Sequence, residues 1–215
     1  VATLGLNGAL NVHVILSVAG SPGDTVLLVS STDGGSTFGG PTLVSASTAS
    51  GQVGGVAIDG QLAEIYAAWT ADSGGIVDTW FRRGLQGWFG APFWLSAPAN
   101  LSAHPSGTGA VGAPIVQVGG SVGWTGVQQR TVGVGWRRDD GDGTHSLRLA
   151  VSQDSGATFG ASAVVAHTDL PGVDVAQFDL ELVAGEVAAL WQDNATTTAG
   201  GSVIVPRWLR RTKRP

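Results

Sequence analysis

Asp139-Asp140-Gly141-Asp142-Gly143 concentrates three carboxylates in five residues, a set of hard oxygen donors of the kind that suits calcium. The same string suits a tight hairpin loop without an ion, because Asp accepts backbone N–H groups and glycine supplies positive φ. It lacks the twelve-residue EF-hand pattern, so no metal site and no cofactor are assigned, calcium being the one ion the loop could take. Asp72 and Asp193 fall in comparable loops and join Asp139, Asp140 and Asp142 as candidate binding residues. Among the eight tryptophans, Trp80 and Trp124 are the candidates for stacking on a ligand, with Trp88 and Trp94 also free of the repeat positions given below. The four histidines, His13, His104, His145 and His167, have no ligand spacing for zinc, and without cysteine there is neither a disulfide nor a thiolate site. Tyr66, the only tyrosine, lies mid-run between Ile65 and Ala67 and reads as a packed residue. No phosphate loop is present, and residue order alone gives no Ser-His-Asp set, so no catalytic residue is assigned.

These residues need elements to carry them, and composition says which kind. Thirty-four glycines without a Gly-X-Y period, 43% hydrophobic residues and only 13% charged residues fit short strands and tight turns, whereas helices need Lys, Glu and Arg to solvate them. Net charge is −5, yet Arg207, Arg210, Arg211, Lys213 and Arg214 crowd the last nine residues. The rest of the chain is therefore acidic, and nucleic acid is excluded as a partner. The basic run reads as a solvated terminal tail, 207–215. No apolar run is long enough to span a membrane. With no methionine and no signal peptide before Val1, the sequence reads as processed, trimmed or part of a longer chain.

Self-similarity organises the remainder. Ser31-Thr-Asp33-Gly-Gly35-Ser-Thr37-Phe38-Gly39 and Ser152-Gln-Asp154-Ser-Gly156-Ala-Thr158-Phe159-Gly160 both read S-x-D-x-G-x-T-F-G, each between two apolar strands. The carboxylate can accept N–H groups of its own turn, the glycine allows positive φ, and the aromatic ring covers the sheet edge. A second landmark, a strand ending in a large apolar residue shortly before a carboxylate, recurs at Leu16, Trp69, Trp136 and Trp191, steps of 53, 67 and 55 residues. Such spacing suits a four-stranded unit with strands A to D. Strand D is legible in three units only, near residues 42–45, 92–95 and 163–166. The segment from Arg82 to Gly90 keeps the aromatic-Gly ending but lacks the Ser and Asp, so that turn must be held otherwise.

The turn resembles the Asp-box of the sialidase-like (BNR) propellers. The resemblance implies an all-β propeller of about four four-stranded antiparallel blades, or a fragment of a larger propeller. Blades fall roughly at 1–50, 51–110, 111–170 and 171–210 within a repeat region 1–206; a two-sheet sandwich is the alternative. In that family these turns lie away from the substrate face, so Ser31, Asp33, Gly35, Phe38, Ser152, Asp154, Gly156 and Phe159 are expected to be structural. The B–C loops share a face with the D–A connections and are the expected binding surface. Catalysis in the family implies an arginine triad, a tyrosine nucleophile with a glutamate partner, and an aspartate acid/base; no such triad is recognisable here. The expected function is therefore a non-catalytic binding or scaffold module for glycan or protein, extracellular or at the cell surface, the alternative being a sialidase-like glycoside hydrolase or a fragment of one. The incomplete last blade leaves an edge for self-association.

Overall fold

Segments rich in Val, Ile, Thr and aromatics, broken by Gly-containing turns, form strands throughout, and none of the described residues is helical; no helix is long and apolar enough to cross a membrane. The computed structural model describes residues 2–4, 10–21, 23–45, 51–72, 74–87, 92–105, 108–120, 130–168, 174–183, 186–193 and 205–210; for 2–4, 176, 183, 186, 193 and 205–210 it describes the backbone alone.

These residues form four antiparallel sheets taken in chain order, rather than the two of a sandwich. Sheet one is β1 (Ala2–Leu4), β2 (Leu10–Val18), β3 (Thr25–Ser31) and β4 (Thr42–Leu43). Sheet two is β5 (Val53–Gln61), β6 (Glu64–Asp72), β7 (Val77–Leu85) and β8 (Phe93–Trp94), with β9 (Ala99–Asn100) also pairing β7. Sheet three is β10 (Gly109–Gly119), β11 (Thr131–Asp139), β12 (His145–Ser152) and β13 (Ala163–His167). Sheet four is β14 (Val175–Val183), β15 (Glu186–Asp193) and β16 (Val205–Arg210). Two details differ from the sequence reading. β9, only two residues long and ending in Asn100, carries no strand pattern and was not foreseen; β16 runs across the boundary drawn at residue 206, as far as Arg210.

The four landmark residues share one register. Leu16, Trp69, Trp136 and Trp191 stand opposite Leu27, Trp80, Arg148 and Arg207. Successive sheets then pack face to face. Ile65, Ala67 and Trp69 of β6 meet Val26, Leu28 and Val44 of sheet one, while Tyr66 and Ala68 on the other face of β6 meet Val132, Val134 and Trp136 of sheet three. β6 is buried on both faces, which is why it reads as an unbroken apolar run with small alanines. Leu147 and Leu149 of β12 meet Val187, Ala189 and Trp191 of sheet four. Each large side chain so buried contributes about 1.5–3 kcal/mol.

Candidate functional site

The two repeated turns have the same geometry bond for bond. Ser31 Oγ donates to Asp33 Oδ1 at 2.6 Å, and Ser152 Oγ to Asp154 Oδ1 at 2.7 Å. The N–H groups of Gly35 and Gly156 each donate to the serine oxygen at 2.8 Å. The Thr37 and Thr158 N–H groups donate to Oδ1, at 2.9 and 2.8 Å, and their hydroxyls to Oδ2, both at 2.6 Å. So many donors on the ionised form hold both carboxyls well below the usual carboxylate range. Every carboxylate oxygen of the two Asp residues already accepts a hydrogen bond from its own turn, and both turns follow the third strand of their sheets.

Their surroundings differ. Phe159 meets Phe81 of sheet two edge-on, with ring centroids 4.8 Å apart. Phe38, its counterpart, is 48% exposed. The corresponding turn of sheet two, without Ser or Asp, keeps the bond to the start of the second strand that the other two turns also make: Gln86 N donates to Ala63 O at 2.7 Å, as Gly34 N does to Leu10 O and Ser155 N to Arg130 O, both at 3.0 Å. At this end of the sheets Tyr66 is buried, its hydroxyl donating 2.7 Å to Glu64, whose carboxylate pairs with Arg130. Burial, and then the Glu64 contact, push the phenol far above its ordinary pKa. Such a phenol is hard to ionise as a nucleophile, and Glu64 lies at the opposite end of β6 from Asp72.

The B–C loops lie at that other end. There Asp24 accepts the N–H of Val53, at the start of β5, and Arg137 reaches Asp174 and the carbonyl of Val175, at the start of β14. These loops therefore adjoin the entry strands of the next sheets. Asp72 accepts the Gly75 N–H at 2.7 Å and Asp139 that of Gly141 at 2.9 Å. Asp142 takes both the N–H and the hydroxyl of Thr144, which lowers its pKa. Asp140 differs: Arg138 Nε lies 3.1 Å from its Oδ1 and an Arg148 nitrogen 3.9 Å away. Its Oδ2 is buried, accepts no hydrogen bond and stands 3.8 Å from Nε2 of His167, a side chain 45% exposed. Burial lowers the pKa of Arg148, with the Arg138 charge adding to the effect. Thus one carboxylate, two guanidiniums and an imidazole converge at the loop end of sheet three.

The remaining candidates are scattered. Trp80 is half-buried against the Val26 and Leu28 cluster, and Trp94 donates its indole N–H to Leu43 O at 2.7 Å beneath Arg82, so both rings are partly covered. Trp69, Trp136 and Trp191 are core residues. Asp193 closes β15, but its side chain, like all of Trp88 and Trp124, lies outside the described residues. No group of three or more His, Cys, Asp or Glu among the described residues could hold a metal ion.

Sequence reasoning missed three things. Arg138 and Arg148 belong to no motif, and only the pairing of β11 with β12 brings both to Asp140. Buried Asp78 accepts the His104 N–H, the Ser102 hydroxyl and the Asn100 amide, while His104 Nε2 accepts the Trp136 indole N–H at 3.3 Å; only proximity in space reveals this link between sheets two and three. The hydroxyls of Ser45, Ser102 and Thr168 each accept a third-strand N–H, from Val26, Thr79 and His145, a recurrent device that Ser/Thr abundance conceals.

No protein-family model and no curated protein matches this sequence. Among solved structures the chain is similar to the Hadza microbial sialidase Hz136, with a TM-score of 0.55 and 14% identity over 98% of this chain and 45% of that one. It is also similar to Trypanosoma rangeli sialidase in complex with sialic acid (TM-score 0.52, 13% identity, 97% of this chain and 36% of that one). With the inhibitor DANA bound, the T. rangeli enzyme gives a TM-score of 0.54 at 14% identity over 97% and 37%. At these identities the likeness is one of fold: the chain has an all-β, antiparallel, sialidase-like architecture. It spans less than half the length of the sialidases it resembles.

Proposed function

We propose that the chain is a non-catalytic binding module, built from about four Asp-box propeller blades, that recognises glycan in preference to protein on its B–C loop face. The observation that carries this reading is the separation of groups. The only tyrosine is buried and locked to Glu64 at one end of the sheets, while Asp140, Arg138, Arg148 and His167 gather at the other. Charged groups that are partly accessible and already oriented by one another can hydrogen-bond sugar hydroxyls or an acidic substituent without any reacting group. The sialic acid complex of the T. rangeli enzyme makes acidic glycans the first ligands to try. Such a module would work outside the cell or at its surface.

The test combines a glycan-binding screen with a fluorogenic sialoside assay on one preparation. Expected are binding that falls at least tenfold on Asp140→Ala or Arg148→Ala, and no turnover. Turnover abolished by Tyr66→Phe in protein that remains folded would overturn the proposal in favour of a sialidase-like hydrolase.

A further inference from the structure

In each of sheets two, three and four, one face of the second strand is buried by the sheet before it. The residues are Ile65, Ala67 and Trp69 in β6, Val132, Val134 and Trp136 in β11, and Val187, Ala189 and Trp191 in β15. Register identifies the counterparts in β2: Val12 stands opposite Ser31 as Val132 stands opposite Ser152, so Val12, Val14 and Leu16 form the same face of sheet one. That face is open. Val14 is 43% exposed, Leu10 51% and Leu43 39%, and the turn residue Phe38 48%. None of the hydrophobic clusters among the described residues includes them. A continuous apolar face of this kind marks an interaction surface.

Sheet four supplies the matching parts. Where sheet two covers sheet three, the contact includes Tyr66 in the second strand, Phe81 against the turn aromatic, and Asp59, whose Oδ2 accepts the Val118 N–H at 2.7 Å. Counted from Trp69 and Trp191 along the paired strands, their counterparts in sheet four are Ala188, Trp208 and Glu181. The backbone group that would meet Glu181 is also present, since Ala2 pairs with Val12 as Val118 pairs with Val132. A small residue at the Ala188 position has a precedent in Gly133 of sheet three, where an added Cβ would lie 3.5 Å from Val187. Glu181 is exposed and Ala188 half-buried, so the outward face of sheet four is accessible.

We propose that the open face of sheet one seats the outward face of sheet four from a second copy of this chain, head to tail. Ala188 of one copy then lies over Val12 of the next, the register position of Trp208 falls where that of Phe81 falls in sheet two, and Glu181 accepts the Ala2 N–H. The contact is heterologous, so copies add in series unless the rotation closes a ring.

Sedimentation velocity on the 215-residue chain tests this, with Val14→Arg blocking one face and Ala188→Arg the other. Wild type should shift from monomer to dimer and larger species by about 100 µM, a weak but specific affinity. Each variant alone should stay monomeric, and a one-to-one mixture should give dimers that grow no further, because each pair retains one intact donor and one intact acceptor face. A monomeric wild type, a mixture that stays monomeric, or association lost in Val14→Arg but kept in Ala188→Arg would each overturn the proposal. Circular dichroism checks the fold of both variants, and Phe38→Arg and Glu181→Arg, at exposed positions, replace either one that unfolds.

Discussion

Lowering the pH from 7 to 4 should destabilise this protein through His13 more than through any one surface carboxylate. His13 is fully buried on the sheet-two side of β2, its Nδ1 2.8 Å from the Ser30 hydroxyl. Desolvation lowers its pKa from 6.5 to about 4. The folded state therefore keeps the ring neutral while the unfolded chain takes up a proton below 6.5, so between 6.5 and about 4 the unfolded state binds more protons and stability rises with pH. Read downward, stability is lost as pH falls through that window, by about 1.4 kcal/mol per unit and about 3 kcal/mol in all, and no further loss from this group follows below the folded pKa. Urea unfolding at pH 7, 5.5 and 4.5 on wild type and His13→Asn measures it, since Asn keeps a polar partner for Ser30 but does not titrate. The difference between the two proteins removes the carboxylates common to both. Parallel pH profiles would refute the reasoning, because they would mean that the ring is solvated or protonated in the folded state.

Three further outcomes can be checked by the same unfolding measurement. Phe159→Ala should cost about 2 kcal/mol, through the lost edge contact with Phe81, while Phe38→Ala in monomeric protein should stay within about 0.5 kcal/mol. Gly156→Ala should be worse than Gly35→Ala: both have positive φ, +76° and +94°, but a Cβ at 156 would lie 2.8 Å from the Phe81 ring, whereas at 35 the nearest atom is 3.7 Å away. Arg130→Ala should cost about 3 kcal/mol, because its side chain is 8% exposed and its loss leaves the Glu64 carboxylate and the Gln61 carbonyl without their cation.

The fold was legible where local rules decide it. Turn chemistry located Ser31 to Gly39 and Ser152 to Gly160, because the side-chain bonds of Ser31, Asp33, Ser152 and Asp154 all lie within five residues of sequence. The apolar landmark placed the second strands in one register for the same reason, since a residue that must be buried in each sheet has little choice of identity. The site was only half legible. Asp140 was singled out, yet what distinguishes it from Asp139 and Asp142 is the Arg148 and His167 side chains brought from β12 and β13 across the sheet. Cross-strand neighbours are set by register, which no local pattern around residue 140 encodes. Trp80 shows the opposite limit: its position relative to the repeat leaves it free, and only the packing of sheet one against sheet two shows it partly covered.

The repeated turns also separate two kinds of selection that one sequence motif combines. The Ser, Asp and Thr side-chain bonds of the turn are the same in sheets one and three, so those residues answer to the turn itself, although the third strand of sheet two ends without Ser or Asp. The phenylalanine answers to the neighbouring sheet, as its contrasting exposure at 38 and 159 demonstrates. A half-exposed surface aromatic costs solubility and takes no part in the hydrogen bonds of the turn. The proposed contact of sheet one with a second copy would account for its presence at 38, together with aliphatic residues at 10, 14 and 43.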